Sequence, residues 1–354
     1  VISKKRQASI AAALFVPALL LGACGAKSDD AADGGSDTEA PEANTEVSGS
    51  IVVSGSSTVE PITALVAEDF MAQNGNVDIT VDGPGTGDGF ELFCAGETDI
   101  SDASRAIKEE EIAACEEAGI EFIELKVGID GLSVITPESN ELECLSFQDL
   151  YALVGPESEG FSNWTDAQDL AAELGSDTEF PDQNLVVTAP GAESGTFDSF
   201  VELVIEAAGE ARVEAGAISE DEVAAARDDY SASPDDNAII EGVTSDEGGL
   251  GWVGFAFADL AEGVKLMPVS AEPGGDCVEP TAETIQDGSY PISRPLFIYV
   301  NAANAEENEG LAAFVDFYLE GLTGFVEASD YIALDDDAEQ LDAWENRTVG
   351  TREG

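Results

Sequence analysis

The chain has 354 residues, 44% of them hydrophobic, and its 74 acidic residues against 13 basic ones give a formal charge of −61 at pH 7. That balance excludes nucleic acid as a partner, because a phosphate backbone is held by lysine and arginine. No histidine is present, which removes the Ser-His-Asp triad, histidine general bases and the usual zinc sites, so neither a metal nor a cofactor is expected.

The N-terminus fixes the compartment. Lys4, Lys5 and Arg6 form a basic head, and Ile10 to Leu21 form an apolar stretch broken only by Pro17. The stretch falls short of the roughly 20 apolar residues that span a bilayer, but it suits a secretory signal. It runs into Leu21-Gly22-Ala23-Cys24, which resembles a bacterial lipobox. Residues 1–23 therefore read as a lipoprotein signal peptide, with Cys24 as the lipidated residue at the outer face of the cell membrane. Residues 24–47 are small and acidic with no large hydrophobe before Val47, a composition that cannot build a core and reads as a flexible tether. Losing the three basic residues of the signal takes the charge from −61 to about −64. So many dispersed carboxylates suggest a halophilic source, where hydrated acidic side chains keep a protein soluble in salt.

Beyond the tether, β-type runs alternate with helical ones. Ser50 to Ser54 predicts a strand, followed by a helix with Pro61 near its start and Ile62, Leu65, Val66 and Phe70 on one face. Val77 to Asp82 predicts a second strand, and a glycine-rich run from Gly83 to Gly89 leads to a helical stretch at Phe90 to Cys94. Thr98 to Ser101 is a third strand, Lys108 to Ala118 a charged helix, and Glu121 to Lys126 and Leu132 to Thr136 two further strands. Ser146 and Asp149 form a capping box before a stripe of Phe147, Leu150, Tyr151 and Val154. Leu185 to Thr188 reads as a strand. The clearest helical period follows, with Phe197, Phe200, Val201, Val204, Ile205 and Ala208 on one face. Ser219 and Glu222 signal another helix start, Gly251 to Phe257 and Leu296 to Val300 strands, and Leu311 to Leu322 a last helix. The alternation argues for an α/β architecture with largely parallel sheets.

Without Cys24, four cysteines remain: Cys94, Cys115, Cys144 and Cys277. An even number in an oxidising compartment suggests two disulfides with three possible connectivities; buried free thiols are the alternative.

Three loops share one design, a small-hydroxyl, glycine-rich segment between a strand and a helix. They are Ser54 to Val59, Gly83 to Gly89 with Thr86 at its centre, and Gly191 to Thr196. The first N–H groups of a helix lack intrahelical partners, and the helix dipole favours negative charge there. Glycine lets the backbone come close, and serine and threonine add hydroxyl donors. Each loop alone could be a plain cap or turn. Three together point to an oxyanion held by dipoles and neutral donors. Arg105, just past a short strand, could add a positive charge, or could simply pair with one of the many surface carboxylates.

Six motifs then occur in order: Ser54-Gly55-Ser56-Ser57-Thr58-Val59-Glu60-Pro61, Asp99 to Arg105, Glu193-Ser194-Gly195-Thr196-Phe197, Ser233 to Asn237, Gly248 to Ala256 and Tyr290 to Leu296. Together they closely resemble the phosphate-binding lipoproteins of high-affinity phosphate ABC transporters, over nearly all of the chain after the tether. The resemblance implies a two-lobed periplasmic-binding-protein fold of the type II, Venus-flytrap kind, with two mixed sheets flanked by helices. Lobe I would comprise residues 48–127 plus 262–354 and lobe II residues 128–261. It implies a monomer that binds inorganic phosphate in the interlobe cleft and serves an ABC permease and its ATPase subunits, and that is not itself an enzyme. Matched motif by motif, Thr58, the backbone of Val59, Thr86, Ser104, Ser194, Gly195 and Thr196 fall where phosphate is bound, with Ser57 beside them.

Two departures from the family pattern stand out. Thr188-Ala189-Pro190-Gly191 occupy the place of an arginine, leaving Arg105 as the expected cation, and Ser104 occupies the place of a carboxylate. Asp102 is then the first candidate to accept the phosphate proton, with Glu193 and Asp236 as alternatives, while Tyr290 to Leu296 reads as packing near the hinge. Cys94–Cys115, closing a short loop within one lobe, and Cys144–Cys277 are the expected bridges. Two rival functions remain. One is a binder of sulfate or molybdate using the same helix-end chemistry. The other is a serine-dependent hydrolase, since Ser194 follows a strand and opens a helix; however, Gly-x-Ser-x-Gly and a histidine base are both missing.

Overall fold

The computed structural model describes residues 47–192 and 194–351. Eleven strands are present among them: β1 Gly49–Gly55, β2 Val77–Asp82, β3 Ile100–Ala103, β4 Phe122–Pro137, β5 Leu145–Ser146, β6 Val186–Ala189, β7 Ser231–Ala232, β8 Gly249–Gly254, β9 Val264–Leu266, β10 Val269–Ser270 and β11 Ser293–Asn301. The helices that position the site are α1 Glu60–Gln73, α2 Thr86–Cys94, α3 Glu109–Ala118, α4 Phe147–Val154, α5 Gln168–Glu173 and α6 Gly195–Phe200. α6 runs on through a π-helical segment, Val201–Ile205, into the helix Glu206–Glu214.

The strands follow the order β2-β1-β3-β11-β4-β8-β6-β7, with β9 beside β4 and a separate β10-β5 pair. β1 is parallel to β2 and β3, and β6 is parallel to β7 and β8, while β11 and β8 run antiparallel to β4. The architecture is thus α/β with mixed pairing in each half. β4 belongs to both halves. Its 16 residues form one strand, whereas the sequence suggested two separated near Gly128 and Gly131. The reason is partner exchange. Phe122 to Gly131 pair with β11, and from Leu132 onward the same strand pairs with β8 and β9. Backbone pairing on both sides of the change keeps the two glycines extended.

Two main apolar cores flank this strand. Ile51, Val53, Ile62, Val66, Phe70, Leu125, Ile298, Phe314 and Tyr318 belong to the first, and Leu150, Tyr151, Trp164, Phe200 and Trp252 to the second. Trp252 stacks on Phe200 with ring centroids 4.1 Å apart. α1 buries Ile62, Val66 and Phe70 at intervals of four, the helical stripe that its sequence carries. Ser146 and Asp149 do form a reciprocal capping box, since Asp149 N donates to Ser146 Oγ at 3.1 Å and Ser146 N donates to Asp149 Oδ2 at 2.9 Å. The box at Ser219 and Glu222 opens only a 3-10 turn, Glu220–Glu222, that buries nothing. A cap without an apolar face to bury does not sustain a helix.

The expected return to the first lobe at residue 262 is displaced. β9 pairs with the second half of β4, and Met267, Val269, Ile285, Tyr290 and Ile292 all pack in the second core. Cys277 is bonded to Cys144, and Cys94 to Cys115, with Cα separations of 6.0 and 4.3 Å. The chain rejoins the first core through β11, where Leu296, Ile298 and Val300 are buried.

Candidate functional site

The loop after β1 is pressed between β3 and α2. Ser56 N donates to the carbonyl of Asp102 at 2.8 Å, and Gly85 N donates to the carbonyl of Gly55 at 2.8 Å. The approach is tight: a Cβ at Gly55 would lie 2.1 Å from the Asp102 carbonyl oxygen, and one at Gly89 would lie 2.4 Å from the Gly55 Cα. Glycine is required at both positions. Ser56 Oγ accepts from Thr58 N at 3.2 Å and Val59 N at 3.4 Å, so the turn entering α1 is held by its own hydroxyl. α2 begins at Thr86, inside the glycine run and four residues before the stretch read from sequence. This start places Thr86 Oγ1 3.0 Å from Ser104 Oγ, and Ser104 N donates to Thr86 Oγ1 at 3.2 Å.

From the other half, β6 leads to Ser194, which caps α6 by accepting from Thr196 N at 3.2 Å. Gly195 lies against the first loop: a Cβ there would sit 3.7 Å from both the Ser57 carbonyl oxygen and the Thr58 Cα, and 3.6 Å from the Tyr331 hydroxyl. The N-termini of α1 and α6 therefore meet. Ser57 Oγ donates to Asp198 Oδ2 at 3.0 Å, and Thr58 Oγ1 lies 3.4 Å from Ser199 Oγ.

Arg294 joins these parts. Its Nη2 donates to Thr58 Oγ1 at 3.0 Å and to Ser199 Oγ at 2.6 Å, its Nε donates to Asp130 Oδ2 at 3.3 Å, and its Nη1 pairs with Glu202. Ser199 in turn donates to Asp130 Oδ2 at 2.6 Å. Burial opposes the Arg294 charge, but Asp130 and Glu202 outweigh it and hold the guanidinium firmly protonated. Burial also pushes Asp130 above the ordinary carboxylate range, against the pull of Arg294 and Ser199. Asp198, half-buried, is raised by burial as well, against its hydrogen bond from Ser57. The result is a buried guanidinium bonded to two hydroxyls and paired with two carboxylates, where the starts of α1 and α6 meet. Hydroxyls and helix-end N–H groups gathered in this way suit an anion.

Comparison with known proteins gives the family. Residues 40–321 match the model of the PBP superfamily domain. Protein SphX of Synechocystis sp. is 36% identical over 301 residues, which cover 84% of this chain and 82% of that protein. Phosphate-binding protein PstS of Staphylococcus saprophyticus is 32% identical over 318 residues, covering 89% and 86%. The chain belongs to the PstS/SphX family. The crystal structure of a possible phosphate binding protein from Planctomyces limnophilus is similar at a TM-score of 0.73 and 35% identity, over 85% of this chain and 98% of that one. The fold is accordingly that of the α/β periplasmic binding proteins.

Set against the PstS/SphX motifs, the structure brings Ser57, Thr58, Val59 and Gly195 together and places Thr86 on Ser104. The hydrogen bonds of Arg105 run outside this cluster. Its guanidinium makes two bonds to Glu111, at 2.7 and 2.9 Å, and lies 5.5 Å from the Phe90 ring centroid. α3 thus supplies the carboxylate that turns Arg105 aside. Asp102 is fully buried beneath α1, where Oδ1 accepts from Thr63 Oγ1 at 3.1 Å and Thr63 in turn meets the Tyr318 hydroxyl at 3.2 Å, while Oδ2 has no hydrogen-bond partner among the described residues. Burial raises its pKa to about 8. Its contribution to the loop is the backbone carbonyl that receives Ser56 N. Asp236, at the start of the helix Asp236–Thr244, is raised by burial and by the charge of Asp330. Cys24 and Glu193 lie outside the described residues.

Sequence reasoning missed Arg294, Asp130, Asp198, Ser199 and Tyr331. Arg294 lay within the Tyr290 to Leu296 motif, read as packing. The available signal was an arginine embedded in a strand on a chain with only 13 basic residues.

Proposed function

We propose that the protein binds inorganic phosphate between two lobes and delivers it to an ABC permease with its ATPase subunits. The lobes are residues 48–127 plus 293–354 and residues 128–292, the boundary following the two cores. The residues proposed at the anion are Thr58, Thr86, Ser104, Ser194 and Thr196 through their hydroxyls and Gly195 through its helix-end N–H, with Ser57 and Val59 in the loop beside them. Arg294 takes the cationic role first assigned to Arg105. Lipid at Cys24 holds the chain at the outer face of the cell membrane, and residues 24–47 give it reach. The observation that carries this reading is Gly195, at the start of α6, lying against Thr58 at the start of α1 while Arg294 donates to the Thr58 hydroxyl. The named relatives in the PstS/SphX family support phosphate as the anion.

This is the reading of a binding protein, not an enzyme. Its test is retention of radiolabelled phosphate by the purified chain through gel filtration, together with an assay on a chromogenic phosphate ester. Bound label without ester turnover supports it. Absence of label, or turnover that disappears in Ser194→Ala, refutes it.

A further inference from the structure

We propose that the Tyr331 hydroxyl is a further donor to the bound anion, delivered by a turn that belongs to neither helix start. The inference rests on the phosphate reading above and adds a contact to that site.

The backbone is fixed on both sides of Tyr331. The helix Leu322–Ala328 ends just before it. Asp330 N donates to Glu327 O at 3.2 Å and Tyr331 N to Val326 O at 3.1 Å, the pair of bonds that closes a helix through a left-handed residue. Asp330 takes that conformation, at φ 65°, where glycine is the usual occupant. Ile332 then pairs with Ile129 in both directions, at 2.9 and 3.0 Å, next to Asp130 on β4. The Tyr331 side chain packs against the first core, yet its hydroxyl reaches the start of α6, where a Cβ at Gly195 would lie 3.6 Å from it. Packing alone would be served by phenylalanine. The neighbouring hydroxyls are already engaged with protein groups: Thr58 with Arg294 and Ser199, Ser57 with Asp198, and Thr86 with Ser104. The Tyr331 hydroxyl has no hydrogen-bond partner among the described residues; the groups that act on it, Asp130, Arg294, Asp330 and Asp198, do so through their charges. Burial, and then Asp130, push its pKa well above the ordinary tyrosine value against the pull of Arg294, so the group stays a neutral donor. A secluded hydroxyl without a partner is costly, and an anion at the start of α6 supplies the acceptor it lacks.

The test is calorimetry of the full chain with inorganic phosphate, in wild type and Tyr331→Phe, beside the melting curve of each without ligand. The variant keeps the ring, so it is expected to melt cooperatively and close to wild type. Its phosphate affinity should fall about 10- to 100-fold, the loss of one hydrogen bond to a charged group. Tyr331→Leu, which shortens the side chain as well, replaces the Phe variant if that one does not melt cooperatively. A cooperatively melting variant that binds phosphate as tightly as wild type overturns the assignment, and a loss of unliganded stability with affinity intact makes the hydroxyl structural and overturns it too. Failure of wild type to bind phosphate would instead defeat the underlying function.

Discussion

Arg294 and Asp130 are register partners on β11 and β4, and the guanidinium Nε lies 3.3 Å from the carboxylate Oδ2. Both side chains are buried, and Arg294 spans the two halves: it donates to Thr58, next to the first core, and to Ser199 on the helix of the second, where Asp130 also accepts from Ser199. The pair therefore sits where the two halves share their strands, and it orients the hydroxyls of the site.

Removing one partner of a buried ion pair strands the other in a poor dielectric. Arg294→Gln is expected to cost about 3–5 kcal/mol of stability, measured by urea unfolding, with much of it restored in the double variant with Asp130→Asn. Phosphate and sulfate should weaken together, since a positive charge does not distinguish them. Arg105→Ala, which removes the partner of part-buried Glu111, should change either affinity far less. Equal losses in Arg294→Gln and Arg105→Ala would return the cationic role to Arg105.

Asp102 gives a stability signature separate from binding. Its folded pKa is raised to about 8 from an ordinary 3.8, so between those values the folded chain keeps a proton that the unfolded chain has lost. The unfolded state binds fewer protons, and this group's contribution, fully present below the lower value, is lost as pH rises through the upper one. The slope approaches about 1.4 kcal/mol per pH unit. Unfolding free energies of wild type and Asp102→Asn should therefore diverge between about pH 5 and pH 7 in favour of the variant. A difference that does not change with pH would place the ionised carboxylate in water. Phosphate affinity is expected to be spared, because the side chain points to Thr63.

The disulfides close loops of unequal size, with separations of 21 residues for Cys94–Cys115 and 133 for Cys144–Cys277. Each is expected to contribute about 2–4 kcal/mol. Non-reducing peptide mapping should recover these two pairs and no other, and reductant should lower the urea midpoint. Free thiols in the oxidised protein would contradict the pairing.

Much of this fold was legible, because period and caps act locally. α1, β2, α3 and the capping box of α4 follow from apolar spacing and end signals within a few residues. What escaped was set by distant partners. β4 looked interrupted because nothing in Gly128 or Gly131 reveals that β11 hands over to β8 across them. Arg294 could be read as inward-facing but not as meeting Thr58, 236 residues away. Asp102 was different, since its direction was available from parity. Ile100, two positions earlier, is a core residue under α1, and residues two apart on a strand share a face. The same rule puts the Asp102 side chain under α1.

A charge of −61 leads to a prediction about salt. Repulsion among surface carboxylates is screened as the Debye length falls to about 3 Å at 1 M. The melting temperature should rise from low to molar NaCl, with phosphate affinity depending less steeply on salt because hydrogen bonds to the anion are short-range. A flat or falling melting temperature would remove the halophile reading.

The proposed site lies where the starts of α1 and α6 meet, and phosphate is the anion proposed for it. Titration calorimetry on phosphate-stripped full chain, with phosphate, sulfate and molybdate in turn, tests it most directly. One phosphate per chain is expected, with sulfate weaker by about a hundredfold or more, because an unpaired acceptor facing sulfate costs several kcal/mol. Sulfate or molybdate binding as tightly as phosphate, or no heat with phosphate at all, would contradict it.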